Sequence, residues 1–238
     1  MNLISLQFQT TNHFEENLQK LVSLIKNSPS NSLILAPELC LSGYSYDNMQ
    51  HAVTMSNKAI PILKELSIDK IISLTMTTKK NNTYFNTLFI FHKEMIIYTQ
   101  SKYKLFPLGN EEKYFVSGLE EDIKIIEIDG IKIASLICFE LRFTTLWEKI
   151  KGADIILIPA MWGKIRKGHY ETLTKALAIT NQCYVVASNS ANNDMAKGSG
   201  IINPFGEEFR EDNSEFIKQK FDISLIKKMR KYINIGIH

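Results

Sequence analysis

Four residues in this chain carry side chains suited to nucleophilic chemistry and stand at breaks in the apolar pattern: Glu38, Lys102, Glu111 and Cys138. Cys138 is the last apolar position of the run in "ASLICFELRF", from Ala134 to Phe143, after which charges arrive at Glu140 and Arg142. Glu38 directly follows a second apolar run and Pro37 in "ILAPELCLSGY". Lys102 follows a third run in "YTQSKYKLFPLGNEEKYF", with Glu111 a little beyond. In layered α/β proteins, sites gather where strands end. A thiol at such an end can attack a carbonyl carbon, but it needs a base, usually histidine. Of the five histidines, His13, His51, His92, His169 and His238, only His169 lies at the edge of a strand-to-helix connection, and it reads as a cap or a packing residue. If Cys138 acts, its base is therefore a carboxylate, whose proton affinity a water-poor environment can raise toward neutrality. Each residue alone also has a plain reading. Cys138 could fill the core, Glu38 and Glu111 could be solvated, and Lys102 could be a surface lysine. Cys40 and Cys183 read as packing.

The elements that must position these residues alternate between strand and helix periods. "LISLQFQ" is a strand. "HFEENLQKLVSLIKN" places Phe14, Leu18, Leu21, Val22 and Ile25 at helical spacing. "SLILAPELCLSGY" is a buried strand broken at Pro37; "AIPILKELS" is a helix and "KIISLTMT" a strand. "TYFNTLFIFH" and "EMIIYTQ" form a hairpin, and Asp129-Gly130 turns a second one within "IKIIEIDGIKIASLIC". "GADIILIPAMW", "CYVVASNS" and "GSGIINPFGE" are further strands. "HYETLTKALAITNQ" is a helix with Glu171 and Lys175 spaced to pair at i,i+4, and "ISLIKKMRKYI" is a last helix. βα units interleaved with hairpins predict α/β layering in which helices cover sheets.

Composition narrows the function class. The 238 residues are 45% apolar and 22% charged, as in an ordinary globular protein, and no linker or repeat divides them; one domain over 1–238 is expected. A net charge of +3 gives little support to nucleic-acid binding. The one tight basic cluster, Lys227, Lys228, Arg230 and Lys231, reads as a solvated face. No apolar run approaches the roughly 20 residues of a membrane span, and "MNLISLQFQTTNHFEEN" does not read as a leader. Three widely spaced cysteines predict neither a disulfide framework nor a zinc site, so a reducing cytoplasm is expected.

The motifs together resemble the nitrilase superfamily of carbon–nitrogen hydrolases. "LAPELCLSGY" is similar to its glutamate motif, "SKYKLFPLGNEEKYFVSG" to its lysine motif and "LICFELRF" to its nucleophile motif, with further likeness through "ADIILIPAMWGKIRKGHYETLTKALAITNQCYVV" and "GSGIINPFGE". The resemblance implies an α/β four-layer αββα sandwich that forms a homodimer. It implies Glu38 as base, Lys102 as the oxyanion cation, Cys138 as nucleophile and Glu111 as an accessory acid. The expected partner is a small-molecule amide, with neither metal nor organic cofactor. The backbone N–H of Phe139, next to the nucleophile, is the expected second oxyanion donor, and Lys102 with the short helix after Cys138 is expected to favour the thiolate. Tyr44, Phe139, Met161 and Trp162 are candidate pocket walls. Arg142 either meets a substrate carboxylate or pairs with an acid such as Glu140. The compact chain resembles the small amidase branch that includes ω-amidases and deaminated-glutathione amidases; an N-carbamoyl amidohydrolase and a non-catalytic binding relative are the alternatives. Lys104 stands where many members carry histidine, Glu140 replaces a more usual aspartate, and Leu177 and Thr180 fall where many carry arginine and glutamate.

Overall fold

Two six-stranded sheets lie face to face, each covered on its outer side by helices, in a computed structural model that describes residues 1–237. His238 lies outside the described residues. In chain order the strands are β1 (Asn2–Leu6), β2 (Ser32–Leu35), β3 (Lys70–Lys80), β4 (Thr83–His92), β5 (Met95–Ser101), β6 (Ile126–Ile128), β7 (Ile131–Ser135), β8 (Ile155–Ala160), β9 (Tyr184–Asn189), β10 (Gly200–Ile202), β11 (Glu208–Arg210) and β12 (Phe216–Lys220). The helices are α1 (Phe14–Lys26), α2 (Met49–Leu66), α3 (Thr144–Lys149), α4 (Lys167–Asn181) and α5 (Ile223–Tyr232). The first sheet has the order β12-β1-β2-β3-β4-β5 and the second β11-β10-β9-β8-β7-β6. This is the αββα sandwich that the resemblance implies, and it bears out the α/β layering read from the elements.

The parallel core of each sheet is buried on both faces, which is why its strands read as continuous apolar runs without alternation. In β2, Leu33 and Leu35 join the cluster between the sheets, whereas Ile34 joins the cluster under α1 and α2. Leu3, Leu33 and Ile71 stand in register across the parallel strands β1, β2 and β3. Polar ties also cross between the sheets: Ser5 Oγ donates to the Ala187 carbonyl and Ser188 Oγ to that of Leu6, both at 2.6 Å.

Several local expectations are corrected. The helix expected over "AIPILKELS" begins at Met49, because Met49, Ala52, Val53, Met55, Ser56, Ala59 and Leu63 form one buried face; Pro61 sits on its exposed side. There the carbonyl that a proline leaves unpaired can meet water. β7 stops at Ser135, so Cys138 belongs to a turn rather than to the strand. Glu171 does not pair with Lys175: Lys175 reaches Glu208 at 2.9 Å, and Lys167 lies 3.7 Å from Glu171. Within the C-terminal basic cluster Arg230 is not free in solvent, since its guanidinium donates to the Ala153 carbonyl at 2.8 Å and lies 3.3 Å from Asp154. The strands β11 and β12 carry no sequence signal. Both are short and half-exposed, and β12 gains its place by antiparallel pairing with β1.

Candidate active site

The segments leaving β2, β5, β7 and β8 converge at one end of the sandwich. Glu38 follows Pro37, which has no N–H to continue the ladder. The Glu38 amide donates to the Ala160 carbonyl at 3.2 Å, tying the end of β2 to the end of β8 in the other sheet. Lys102 extends β5 by one pairing, its N–H donating to Asn86 O at 2.8 Å, while its own carbonyl accepts from the Gly118 amide at 2.8 Å. That second contact demands glycine: a Cβ on residue 118 would lie 2.2 Å from the Ser101 carbonyl oxygen. Cys138 opens a one-turn 3₁₀ segment, Cys138–Arg142, with φ at +51°, in the left-handed region that a β-carbon disfavours. Such strain persists only where the surroundings over-determine it.

These segments bring Glu38, Lys102, Glu111 and Cys138 together in the interior. Lys102 Nζ lies 2.8 Å from Glu38 Oε1 and 2.8 Å from Glu111 Oε1, and donates to the Tyr44 hydroxyl oxygen at 3.1 Å. Asn86 Nδ2 donates to Glu38 Oε1 at 2.9 Å. Lys102 and Glu38 are fully buried, Glu111 nearly so, and Cys138 is 7% exposed. Glu38 Oε2 and Glu111 Oε2 are buried without a hydrogen-bond partner, which leaves acceptor capacity in the cluster for an incoming N–H or S–H.

The electrostatics differ from expectation at the thiol. Burial first, then the Glu38 carboxylate, push the Cys138 thiol well above its ordinary range, and Lys102 only partly offsets them. This favours the thiol, beside the Glu38 carboxylate, over the expected thiolate. Burial alone would lower the Lys102 pKa, but Glu38, Cys138 and Glu111 more than reverse this and keep the ammonium charged. Burial raises Glu111, with Lys102 opposing. Burial and the two carboxylates keep the Tyr44 phenol protonated.

Cys138 faces a cavity of about 20 Å³ lined by Phe106, Phe139, Arg142, Met161, Trp162 and Arg166, room for about one water. Phe139, Met161 and Trp162 are thus walls around the thiol. Tyr44 lies behind them: its hydroxyl meets Lys102, and its ring lines an adjoining polar cavity that shares Met161. Trp162 is held by its amide, which donates to Asn189 Oδ1 at 2.8 Å, and by packing on Tyr170. Arg142 does not pair with Glu140. Its guanidinium stacks over Trp162 at 4.5 Å and donates to His169 Nδ1 at 3.2 Å; His169 is exposed within α4, neither a cap nor core packing. Arg166 stacks over Phe106 at 5.2 Å.

Asn86, Phe106, Glu140 and Arg166 are members of the site that sequence reasoning misses. Asn86, a carboxamide in the mostly apolar strand β4, and Glu140, which stands at the place of a more usual aspartate, are the available signals. Leu177 is wholly buried in the core, and Thr180 is exposed. Cys40 and Cys183 pack in the two cores, and burial lifts the Cys40 thiol to about 12. Among the described residues no group of His, Cys, Asp and Glu is placed to hold a metal ion, and no helix is long and apolar enough to cross a membrane.

The profile of the family described as carbon-nitrogen hydrolase matches residues 4–228. The chain belongs to the carbon-nitrogen hydrolase family. Among relatives of this carbon-nitrogen hydrolase, a 2-oxoglutaramate amidase of Bacillus subtilis is 30% identical over 234 residues, covering 92% of this chain and 90% of that protein. A deaminated glutathione amidase of Escherichia coli O157:H7 is 27% identical over 213 residues, covering 84% and 81%. The crystal structure of a CN-hydrolase superfamily protein from Xanthomonas campestris, with an arsenic adduct in its active site, superposes with a TM-score of 0.84 at 22% identity, covering 98% of this chain and 94% of that one. The relatives named here are amidases.

Proposed function

We propose that the protein hydrolyses a small carboxamide through a thioester on Cys138, with Glu38 and Lys102 completing the catalytic set. The observation that carries this reading is the meeting of Glu38, Lys102 and Cys138 from three separate strand ends, in a buried cluster whose thiol faces the cavity. Glu38 takes the thiol proton, and the sulfur attacks the amide carbon. Lys102 and the Phe139 N–H stabilise the oxyanion that forms; donors of this kind contribute about 3–4 kcal/mol each to lowering the barrier. The C–N bond breaks as Glu38 returns the proton to nitrogen, and ammonia leaves. Glu38 then deprotonates a water that attacks the thioester, releasing the carboxylic acid and restoring the thiol. Glu111 orients the Lys102 ammonium.

The lining of the cavity supports a particular substrate chemistry. Its walls are apolar, and two guanidiniums, Arg142 and Arg166, stand on aromatic rings at its rim without a carboxylate partner among the described residues. An amide with a short apolar linker and an anion at the far end matches this lining chemically, as in ω-amides of dicarboxylic acids, and its entry requires the walls to move apart, because the cavity as it stands holds about one water. The named amidase relatives lend support. Exposed Ile179, Phe205 and Phe209 near α4 and β11 offer an apolar face for a second copy.

Ammonia release from a panel of ω-amides, N-carbamoyl amino acids and nitriles tests the reaction, together with the mass of the protein after mixing. An acyl adduct on Cys138 with ω-amides is the expected result. Turnover of N-carbamoyl compounds alone would replace the amidase reading by the carbamoylase one, and an inert protein would favour a binding relative.

A further inference from the structure

Glu140 is as fully buried as Lys102, yet no lysine or arginine lies within ion-pair distance of it among the described residues. Its carboxylate accepts three hydrogen bonds, all from backbone amides. Oε2 accepts from Ile137 N at 2.6 Å; Oε1 accepts from Tyr103 N at 2.6 Å and Lys104 N at 3.4 Å. Ile137 immediately precedes the nucleophile, and Tyr103 immediately follows the lysine. These two peptides leave different sheets, from β7 and from β5. One side chain therefore bridges the sandwich at the place where the reacting groups meet. The bond to Ile137 also closes the turn that holds Cys138 at a positive φ.

We infer that Glu140 is a positioning residue, which sets the separation of the Cys138 sulfur from the Lys102 ammonium without touching the substrate. This rests on the reading of Cys138 as nucleophile and Lys102 as the oxyanion cation. The residue type fits the task. A carboxylate offers acceptors at both ends and can serve two segments at once, whereas a carboxamide presents N–H at one end. That end would face a backbone N–H and push one segment away. Burying a carboxylate without a cation in contact is costly; the amides of Ile137 and Tyr103, then the more distant Lys102 charge and the Lys104 amide, offset part of that burial.

The test compares Glu140→Gln and Glu140→Asp with the unaltered protein, using primary-amide turnover per active site, counted by alkylation of Cys138. The Gln variant keeps length and loses one acceptor end; the Asp variant keeps both acceptor ends and loses length. A displacement of about 1 Å in a reacting group costs roughly 100-fold in rate. The expected result is kcat lower by about 100-fold in Gln and about 10-fold in Asp, with KM changed by less than about threefold in both. A raised KM at unchanged kcat, or the unaltered kcat in either folded variant, would overturn the inference. Should the Gln variant not fold, the Asp variant decides alone, because a shortened tether must move at least one segment. Cys138→Ala separates the two levels: turnover surviving in that variant removes the nucleophile reading itself, while its loss alongside normal turnover in Glu140→Asp removes only the positioning role.

Discussion

Lys102 and Glu38 form an ion pair of 2.8 Å in which both side chains are wholly shielded from solvent. The lysine shares its other hydrogens with Glu111 and Tyr44, so one buried cation serves two carboxylates. Removing one partner of such a group leaves charge uncompensated in the interior, at a cost of about 3–5 kcal/mol. Lys102→Met is expected to lose that much stability in denaturant unfolding and to have no detectable turnover. A fully stable Lys102→Met protein would mean that the carboxylates are protonated in the native state.

Glu38→Gln should act with opposite signs on two readouts. Turnover is expected to be lost, because the base we propose is gone. Alkylation of Cys138 by iodoacetamide near pH 7 becomes faster, because the Glu38 charge is among the causes that hold the thiol above its ordinary range. Removing it lowers the thiol pKa, and the thiolate is the reactive form. Slower alkylation in this variant would show that Glu38 activates the resting thiol instead of opposing its ionisation.

Arg166→Gln should narrow the preference for anionic amides. A charge-assisted hydrogen bond contributes about 1.5–3 kcal/mol. The ratio of kcat/KM for an amide with a terminal carboxylate over its neutral analogue is therefore expected to fall by about 10- to 100-fold. An unchanged ratio would place the anion elsewhere, or show that none is recognised.

Glu140 also sets a pH dependence of stability. Burial pushes its carboxyl up to about 7, with the amides of Ile137 and Tyr103 opposing. In the unfolded chain the same group titrates near its ordinary value of about 4.3. A raised folded pKa means that the folded state binds more protons within that window. The contribution of this group is thus fully present below about 4.3 and is lost as the pH rises through about 7. Melting of the protein and of Glu140→Gln at pH 5 and pH 8 should show the unaltered chain losing stability relative to the variant as pH rises. A constant difference between the two would mean that Glu140 is ionised across the whole window.

Much of the site is legible in the sequence. Cys138, Glu38 and Lys102 stand out because each reactive residue interrupts an apolar run, and an interruption is visible without knowledge of the partner strands. The helices with clear periodicity, α1 and α5, are equally visible. By contrast, the sequence pattern shows only the last part of α2, because Met49 to Ala59 carries polar residues on its outer side and only the sheet beneath defines which side is inner. The strands β11 and β12 escape the pattern altogether, since their three and five residues owe their conformation to neighbours. Arg142 and Glu140, close together in a charged stretch, look like a pair; the turn sends one to Trp162 and the other to the backbone of the lysine loop.

By itself, then, the sequence determined the layered α/β class and marked the residues whose types could react, with no histidine placed at a strand end beside them. These follow from local pattern and residue chemistry, which are properties of the chain alone. Only the tertiary structure decided how the groups meet: that Lys102 is divided between two carboxylates, that the surroundings of Cys138 favour its thiol, that Glu140 joins two sheets, and that Arg166 reaches the rim of the cavity. The physical reason is that burial and the approach of residues distant in sequence set both the charge state and the direction of each side chain, and neither is fixed until the two sheets have packed.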